Sequence, residues 1–202
     1  MTNKNVLAII GSYRKDGIID QAVDEVLSVV KKSGVIAKKI YLTQTNIEFC
    51  TNCRVCTHGS EDDLRGKCIH NDDMEEILAK IDNADAIVLG SPINFGGVTA
   101  ITKRFIERLV VYAYWPWEKS IPKKRIKKNA KKAVIITSSA CPAFLGKIIM
   151  PCALQVMKTA ANIIGAKVVK KVYLGLVCSS SNQRLNKKQL KIAELAGQLI
   201  TK

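Results

Sequence analysis

No apolar stretch in these 202 residues approaches the length of a membrane span, and the opening Met1 to Asn5 holds no cationic region leading into a long apolar one. The expectation is a chain with neither span nor secretory leader, resident in the cytoplasm. Internal repeats and low-complexity linkers are also missing, so a single domain over 1–202 is expected, long enough to bury a sizeable core. Acid is scarce in one part of the chain. Residues 119–202 carry 18 Lys and Arg against one acid, Glu194, while residues 1–118 carry 14 against 16. The net charge of +15 therefore peaks in the run Lys119 to Lys132, which has eight cations and no acid. Such a run suits nucleic acid, an anionic lipid surface or an anionic cofactor, and equally a solvated hairpin. No nucleic-acid-binding signature and no regularly interleaved aromatics accompany it. The solvated hairpin is the preferred reading, and nucleic acid is not an expected partner.

What the sequence does hold is an alternation of two periodicities. Asn5 to Ile10, Val35 to Leu42, Ala86 to Gly90, Ala133 to Thr137 and Lys167 to Leu174 read as strands, mostly apolar on both faces. Between them apolar residues recur at helical spacing: Ile19 to Val30, the segment after an Asn71 cap, Val98 to Leu109, Phe144 to Ile164 and Lys187 to Ile200. Strand–helix alternation of this kind gives an α/β parallel sheet with right-handed crossovers. At this length the flavodoxin-like three-layer sandwich, a five-stranded sheet of order 2-1-3-4-5, leads over other doubly wound orders. Two excursions interrupt it, a cysteine-rich one at about 43–71 and a basic one at about 114–132.

That order gathers three strand ends at one edge, where such sheets bind ligands. The first loop, Gly11-Ser12-Tyr13-Arg14, has a permissive backbone, a hydroxyl and a forked cation ahead of a helix N-terminus. Ligation there continues on the backbone of Gly17, Ile18 and Ile19. The second loop, Pro92-Ile93-Asn94-Phe95-Gly96-Gly97, suits a flat heterocycle: Pro92 stiffens it, Asn94 has amide groups, and Phe95 an aromatic face. Ile93 and Gly96 are expected to line it as well. The third, Ser138, Ser139 and Ala140, adds hydroxyls and backbone groups.

In this order and spacing the motifs resemble those of NADPH-dependent FMN reductases, particularly the branch containing the iron–sulfur flavoproteins, over nearly the whole chain. The resemblance rests on Gly11-Ser12-x-Arg14, on Cys50, Cys53, Cys56 and Cys68 leading into Asp72-Asp73-Met74, on Ser91 to Gly96, and on Lys103, Phe105, Glu107 and Arg108. It implies non-covalent FMN with its phosphate on the first loop and its ring between the other two, NADPH or NADH as co-substrate, and a small-molecule or protein electron acceptor. It further implies a homodimer or homotetramer. No catalytic side chain is assigned, because a flavin carries the redox chemistry itself. One departure stands out: the family's phosphate-binding Ser or Thr after the first Gly-Ser-x-Arg is here Gly17-Ile18-Ile19. A flavodoxin-type electron carrier and a flavin-free basic binding module on the same fold are the alternatives. Tyr114, Trp115 and Trp117 read as subunit packing, with a lid over the ring as the other possibility; His58 and His70 read as solvated loop residues.

Cys50-x2-Cys53-x2-Cys56-x11-Cys68 places four thiolates in one irregular loop. The first three spacings match ligation of a four-iron, four-sulfur cluster, which the iron–sulfur flavoproteins it resembles carry at this position. Zinc and empty thiols stay open beside it, while structural disulfides do not suit a reducing compartment. Two features count against the cluster. The final gap exceeds the family's usual one, and Glu61, Asp62 and Asp63 fall inside it, adding negative charge that opposes reduction.

Overall fold

The computed structural model describes residues 4–202; residues 1–3 of the N-terminal stretch lie outside them. Five strands, β1 (Asn5–Ile10), β2 (Ile36–Tyr41), β3 (Ala86–Gly90), β4 (Lys131–Ser138) and β5 (Ala166–Leu174), make one sheet in the order β2-β1-β3-β4-β5. Every neighbouring pair is parallel. This is the flavodoxin-like order expected from the sequence. Six helices accompany it: α1 (Ile18–Lys32), α2 (Met74–Asp82), α3 (Ala100–Arg108), α4 (Ala143–Ile149), α5 (Cys152–Ile163) and α6 (Lys187–Thr201).

The period of two along each strand sorts the core into halves. Leu7, Ile9, Ile87, Leu89 and Ile135 pack against α2, α3 and α5 on one face. Val6, Ala8, Ile10, Val88, Val134 and Ile136 pack against α1 and α6 on the other. Central strands buried on both faces need apolar side chains at every position, which is why β3 reads as an unbroken AIVLG. Among the described residues no helix is long and apolar enough to cross a membrane.

The structure corrects three local readings. The helix expected over Phe144 to Ile164 is two helices, because Pro151 has no N–H to donate and drives Met150 to φ −130°, ψ 57°. Asn71 does not cap α2: the Asp72 carboxylate accepts from the Met74 N–H at 3.1 Å, while Asp73 reaches the Asn46 N–H at 2.8 Å. The second loop is a hairpin, with Ile93–Asn94 paired to Gly97–Val98. Phe95 at φ 49° and Gly96 at φ 81° form its two-residue turn.

Candidate functional site

At the carboxyl edge of the sheet a cavity of about 470 Å3 opens among the three loops. Ser12, Arg14, Gly17, Ile18 and Ile19 from the first, Pro92, Ile93 and Asn94 from the second, and Ser138, Ser139 and Ala140 from the third all line it. Phe95 and Gly96 do not. The tight turn carries them to the hairpin tip, where Phe95 is fully exposed and a side chain on Gly96 would meet nothing within 4 Å. Sequence reasoning missed the fourth wall, Val177, Ser180, Ser181 and Gln183. The Ser179-Ser180-Ser181 run between β5 and α6 is the signal that could have found it. Tyr13 also lines the cavity, and its hydroxyl accepts from the Ile101 N–H at 3.3 Å, tying the first loop to α3.

The first-loop end of the cavity fits an anion. Gly17 caps α1 without a side-chain bond, so the first N–H groups of a 15-residue helix are left for a ligand. The loop is held by Asp20, which is buried and accepts from the Asp16 N–H at 2.8 Å, from Lys39 Nζ at 2.8 Å and from the Tyr41 hydroxyl at 3.0 Å. Burial alone would raise the Asp20 carboxyl; the bonds from Lys39, Asp16 and Tyr41 outweigh it and hold it below the ordinary carboxylate value. Its charge is thus matched by Lys39 and adds little repulsion to the pocket.

A buried hydroxyl network locks the loops together. Thr99 Oγ1 donates to the Gly11 carbonyl at 2.6 Å and lies 2.7 Å from Thr102 Oγ1, which in turn donates to Ser91 Oγ at 3.1 Å. Thr137 Oγ1 closes the third loop onto the Ser91 carbonyl at 2.8 Å. Gly11 passes so close to α3 that a Cβ there would overlap Thr102 Oγ1. Gly11→Ala is expected to cost about 1–3 kcal/mol through this overpacking and to weaken ligand binding at the first loop. Thermal unfolding and ligand titration check it, and adding Thr102→Ala should recover part of the loss.

The four cysteines meet in a second cavity, between the irregular 43–71 segment and the end of α3, where Cys50, Cys53, Cys56 and Cys68 line the wall with Arg54, His70 and Arg108. The eleven-residue gap is folded back on itself. Gly66 runs directly against the Cys56 carbonyl, where any Cβ would overlap it, and its N–H donates to the Val111 carbonyl at 2.7 Å. Arg65 anchors the same stretch through Glu75 at 2.6 Å and Asp82 at 2.7 Å. Burial pushes the Cys56 thiol up to about 11, and the nearness of Cys68, Cys50 and Cys53 adds to the rise. Beneath them Arg108 and Asp72, each almost wholly buried, pair at 2.6 Å. Three cavity-lining nitrogens, Arg54 Nε, Arg108 Nε and His70 Nε2, are buried without a partner. Among the described residues no three of His, Cys, Asp and Glu converge tightly enough for one metal ion.

The basic excursion is a hairpin that is solvated on one side only: Lys123, Lys127 and Lys128 are exposed, while Arg125 is buried. Ala113–Tyr114 pairs with Lys123–Lys124, and the ribbon closes over the cysteine loop. Arg125, 5% exposed, donates to the carbonyls of His58 and Ser60. Lys123 pairs with Glu61 and Lys127 with Asp62, each at 3.2 Å, so two of the acids inside the gap are neutralised. Trp115 and Trp117 hold the Arg54 guanidinium between them, 3.9 and 4.2 Å from the two ring centres. Trp117 keeps 62% of its surface exposed while making this contact. His58 and His70 are half-buried rather than solvated, each with a buried Nε2.

A sequence profile for a family described as NADPH-dependent FMN reductase matches residues 4–179. A protein of Archaeoglobus fulgidus named iron–sulfur flavoprotein is 33% identical over 110 residues, covering 54% of this chain and 47% of its own length. One of the same name from Methanocaldococcus jannaschii is 37% identical over 103 residues, covering 51% and 50%. The chain thus spans about half the length of these curated relatives. Among solved structures, an FMN-dependent NADH-azoreductase of Bacillus anthracis in complex with FMN superimposes with a TM-score of 0.72 at 12% identity, covering 99% of this chain and 100% of that one. That likeness establishes the shared fold.

Proposed function

From the premise that this chain belongs to the NADPH-dependent FMN reductase family, we propose that it is an FMN-dependent NAD(P)H oxidoreductase. One observation carries the proposal: the three strand-end loops converge on a single cavity with an uncapped helix N-terminus and Arg14 at one end and the Pro92–Asn94 wall at the other. FMN held here by the three loops would supply the redox chemistry between a nicotinamide co-substrate and a small-molecule or protein acceptor.

The chain's own part is binding and positioning. The α1 N–H groups, Ser12 and Arg14 hold the phosphate dianion, with backbone donors standing in for the hydroxyls missing at Ile18 and Ile19. Pro92 and Ile93 present an apolar wall to the ring, and Asn94 and the Ser138–Ala140 loop supply hydrogen bonds at its polar rim. The Ser91–Thr99–Thr102 network keeps these walls in register before any ligand arrives.

We propose that Cys50, Cys53, Cys56 and Cys68, which line the second cavity, ligate a four-iron, four-sulfur cluster. Four thiolates are the donor set such a cluster takes, and the partnerless nitrogens of Arg54, Arg108 and His70 on the same wall would have acceptors in a bound anionic group. Zinc, which four thiolates would also hold, is the alternative that metal analysis distinguishes. Assembly into a homodimer or homotetramer belongs to the same proposal: α4 exposes Phe144, Ile148 and Ile149, and a second copy would cover them.

Purification followed by titration with NADPH and NADH under argon tests the flavin reading. Stoichiometric FMN whose blue absorption band is bleached by the nicotinamide is the expected result; protein that binds no flavin overturns it, and flavin that no nicotinamide reduces leaves a passive carrier. Arg14→Ala should weaken FMN about tenfold, the worth of one charge-assisted bond, and leave riboflavin nearly unchanged. Calorimetry with both ligands checks this, since only FMN presents a phosphate.

A further inference from the structure

The arginines of this protein are mostly committed. Of its seven arginines, Arg65 and Arg108 sit in ion pairs, Arg54 and Arg125 bond backbone carbonyls, and Arg104 lies over the Phe49 ring. Arg14 and Arg184 are the two whose side chains have no ion-pair, hydrogen-bond or aromatic partner among the described residues. Both line one cavity of about 520 Å3, together with Lys15, which is likewise unpaired. Asp16 is the single acid on its rim, so positive charge is in excess there. This outer cavity adjoins the flavin cavity and shares Arg14, Gly17 and Ser181 with it.

The two walls of the outer cavity are stitched together. Gln21 on α1 donates from Nε2 to the Asp16 carbonyl at 2.8 Å and to the Gln183 carbonyl at 3.1 Å, and its Oε1 accepts from the Leu185 N–H at 3.1 Å. The loop carrying Arg184 is therefore held against the loop carrying Arg14 and Lys15. Three uncompensated cations brought together this way raise the local potential and repel one another unless an anion joins them. A forked guanidinium on either side of a cavity matches the oxygens of a phosphoryl group.

We propose that the outer cavity binds a second phosphoryl group, immediately beyond the one that the first loop takes from the flavin. The proposal rests on the flavin reading and extends it: the ligand class is a pyrophosphate-linked dinucleotide. Its source is either the dinucleotide form of the flavin, FAD, or the nicotinamide dinucleotide lying across FMN. Arg184 and Lys15 hold the second phosphoryl, and Arg14, shared by both cavities, bridges the two.

Calorimetric titration of riboflavin, FMN and FAD, and of NADPH against the FMN-loaded protein, tests this with Arg184→Ala and Lys15→Ala. Both residues are exposed and unbonded, so the variants should fold, which circular dichroism confirms. The expected result is about a tenfold loss of affinity for a pyrophosphate-linked ligand in each variant, with FMN affinity changed less than about twofold. If FAD carries the loss, the second phosphoryl is the flavin's; if NADPH carries it, the co-substrate's. FMN binding with FAD and NADPH indifferent to both substitutions overturns the outer site and leaves the flavin reading standing. Failure of all three flavins to bind overturns both.

Discussion

Arg108→Ala is expected to destabilise the protein by about 3–5 kcal/mol, because removing one partner of a buried ion pair strands the other charge without water. Arg108 and Asp72 have side chains only 2% and 1% exposed. Arg108 donates to both Asp72 oxygens and to the Glu48 carbonyl, while Asp72 also accepts from the Glu48 and Met74 N–H groups. One pair thus joins the end of α3, the entry to the cysteine loop and the start of α2. Its loss should collapse the cysteine cavity first and the whole fold only partly, since the sheet core is elsewhere. Urea unfolding measures the first effect and proteolysis within 43–71 the second; a change below about 1 kcal/mol, the range of exposed pairs, would sink the argument. The pH dependence has a definite sign. Burial by itself would raise the Asp72 carboxyl, but Arg108 and the two N–H groups outweigh it and hold it below its ordinary value. A lowered carboxyl contributes stability that is fully present above the unfolded value of about 3.9 and is lost as pH falls through the lower folded value. The wild type should therefore lose this contribution in acid, and Arg108→Ala should show a flatter profile there.

The fold was legible because its determinants are local. A short apolar run closed by Gly90-Ser91-Pro92, such as Ala86 to Leu89, reads as a strand buried on both faces, and Ile19, Val23, Val26 and Val30 repeat on one side of a helix whatever lies elsewhere in the chain. The loops that make the cavity at the carboxyl edge were legible for the same reason: strand ends in a parallel sheet fix where they go. Phe95 shows where that reasoning stops. Its aromatic face suits a ring in composition, yet two consecutive positive φ angles at Phe95 and Gly96 turn it out to solvent, a geometry the sequence encodes only weakly.

The excursions were illegible because their partners are distant. Arg125 counts in sequence as one more cation of a lysine-rich run; in the structure it is buried, with its bonds going to carbonyls more than sixty residues earlier in the chain. Asp72 reads as a helix-dipole acid and proves to be the buried mate of a residue 36 positions away. Charge pattern alone does not say which cation meets which acid. Here it concealed that the positive ribbon and the acidic cysteine loop are halves of one structure.

The remaining large effect follows from that pairing. With Lys123 on Glu61 and Lys127 on Asp62, Asp63 alone of the three acids in the Cys56–Cys68 gap has no ion-pair partner among the described residues. The repulsion that such acids would exert on an anionic cluster is correspondingly reduced. Gly66 against Cys56, and Arg65 on α2, bring Cys68 back to the other three despite the long gap, and extra loop length costs little entropy once such contacts close it. Protein purified without oxygen is expected to hold about four iron and four sulfide per chain. Cys56→Ala should abolish both, since a three-thiolate remnant leaves one iron without its ligand, whereas Cys178→Ala, at the other end of the sheet edge, should leave both intact. Because thiols bind metal as thiolates, loading should also release the proton that Cys56 carries at neutral pH, against a thiol pushed up to about 11. Iron and sulfide analysis with the low-temperature magnetic resonance spectrum of the reduced protein gives the reading independently of turnover. Metal-free protein that still binds and reduces FMN would remove the cluster and leave the four cysteines as thiols held ready by Arg125 and the paired lysines.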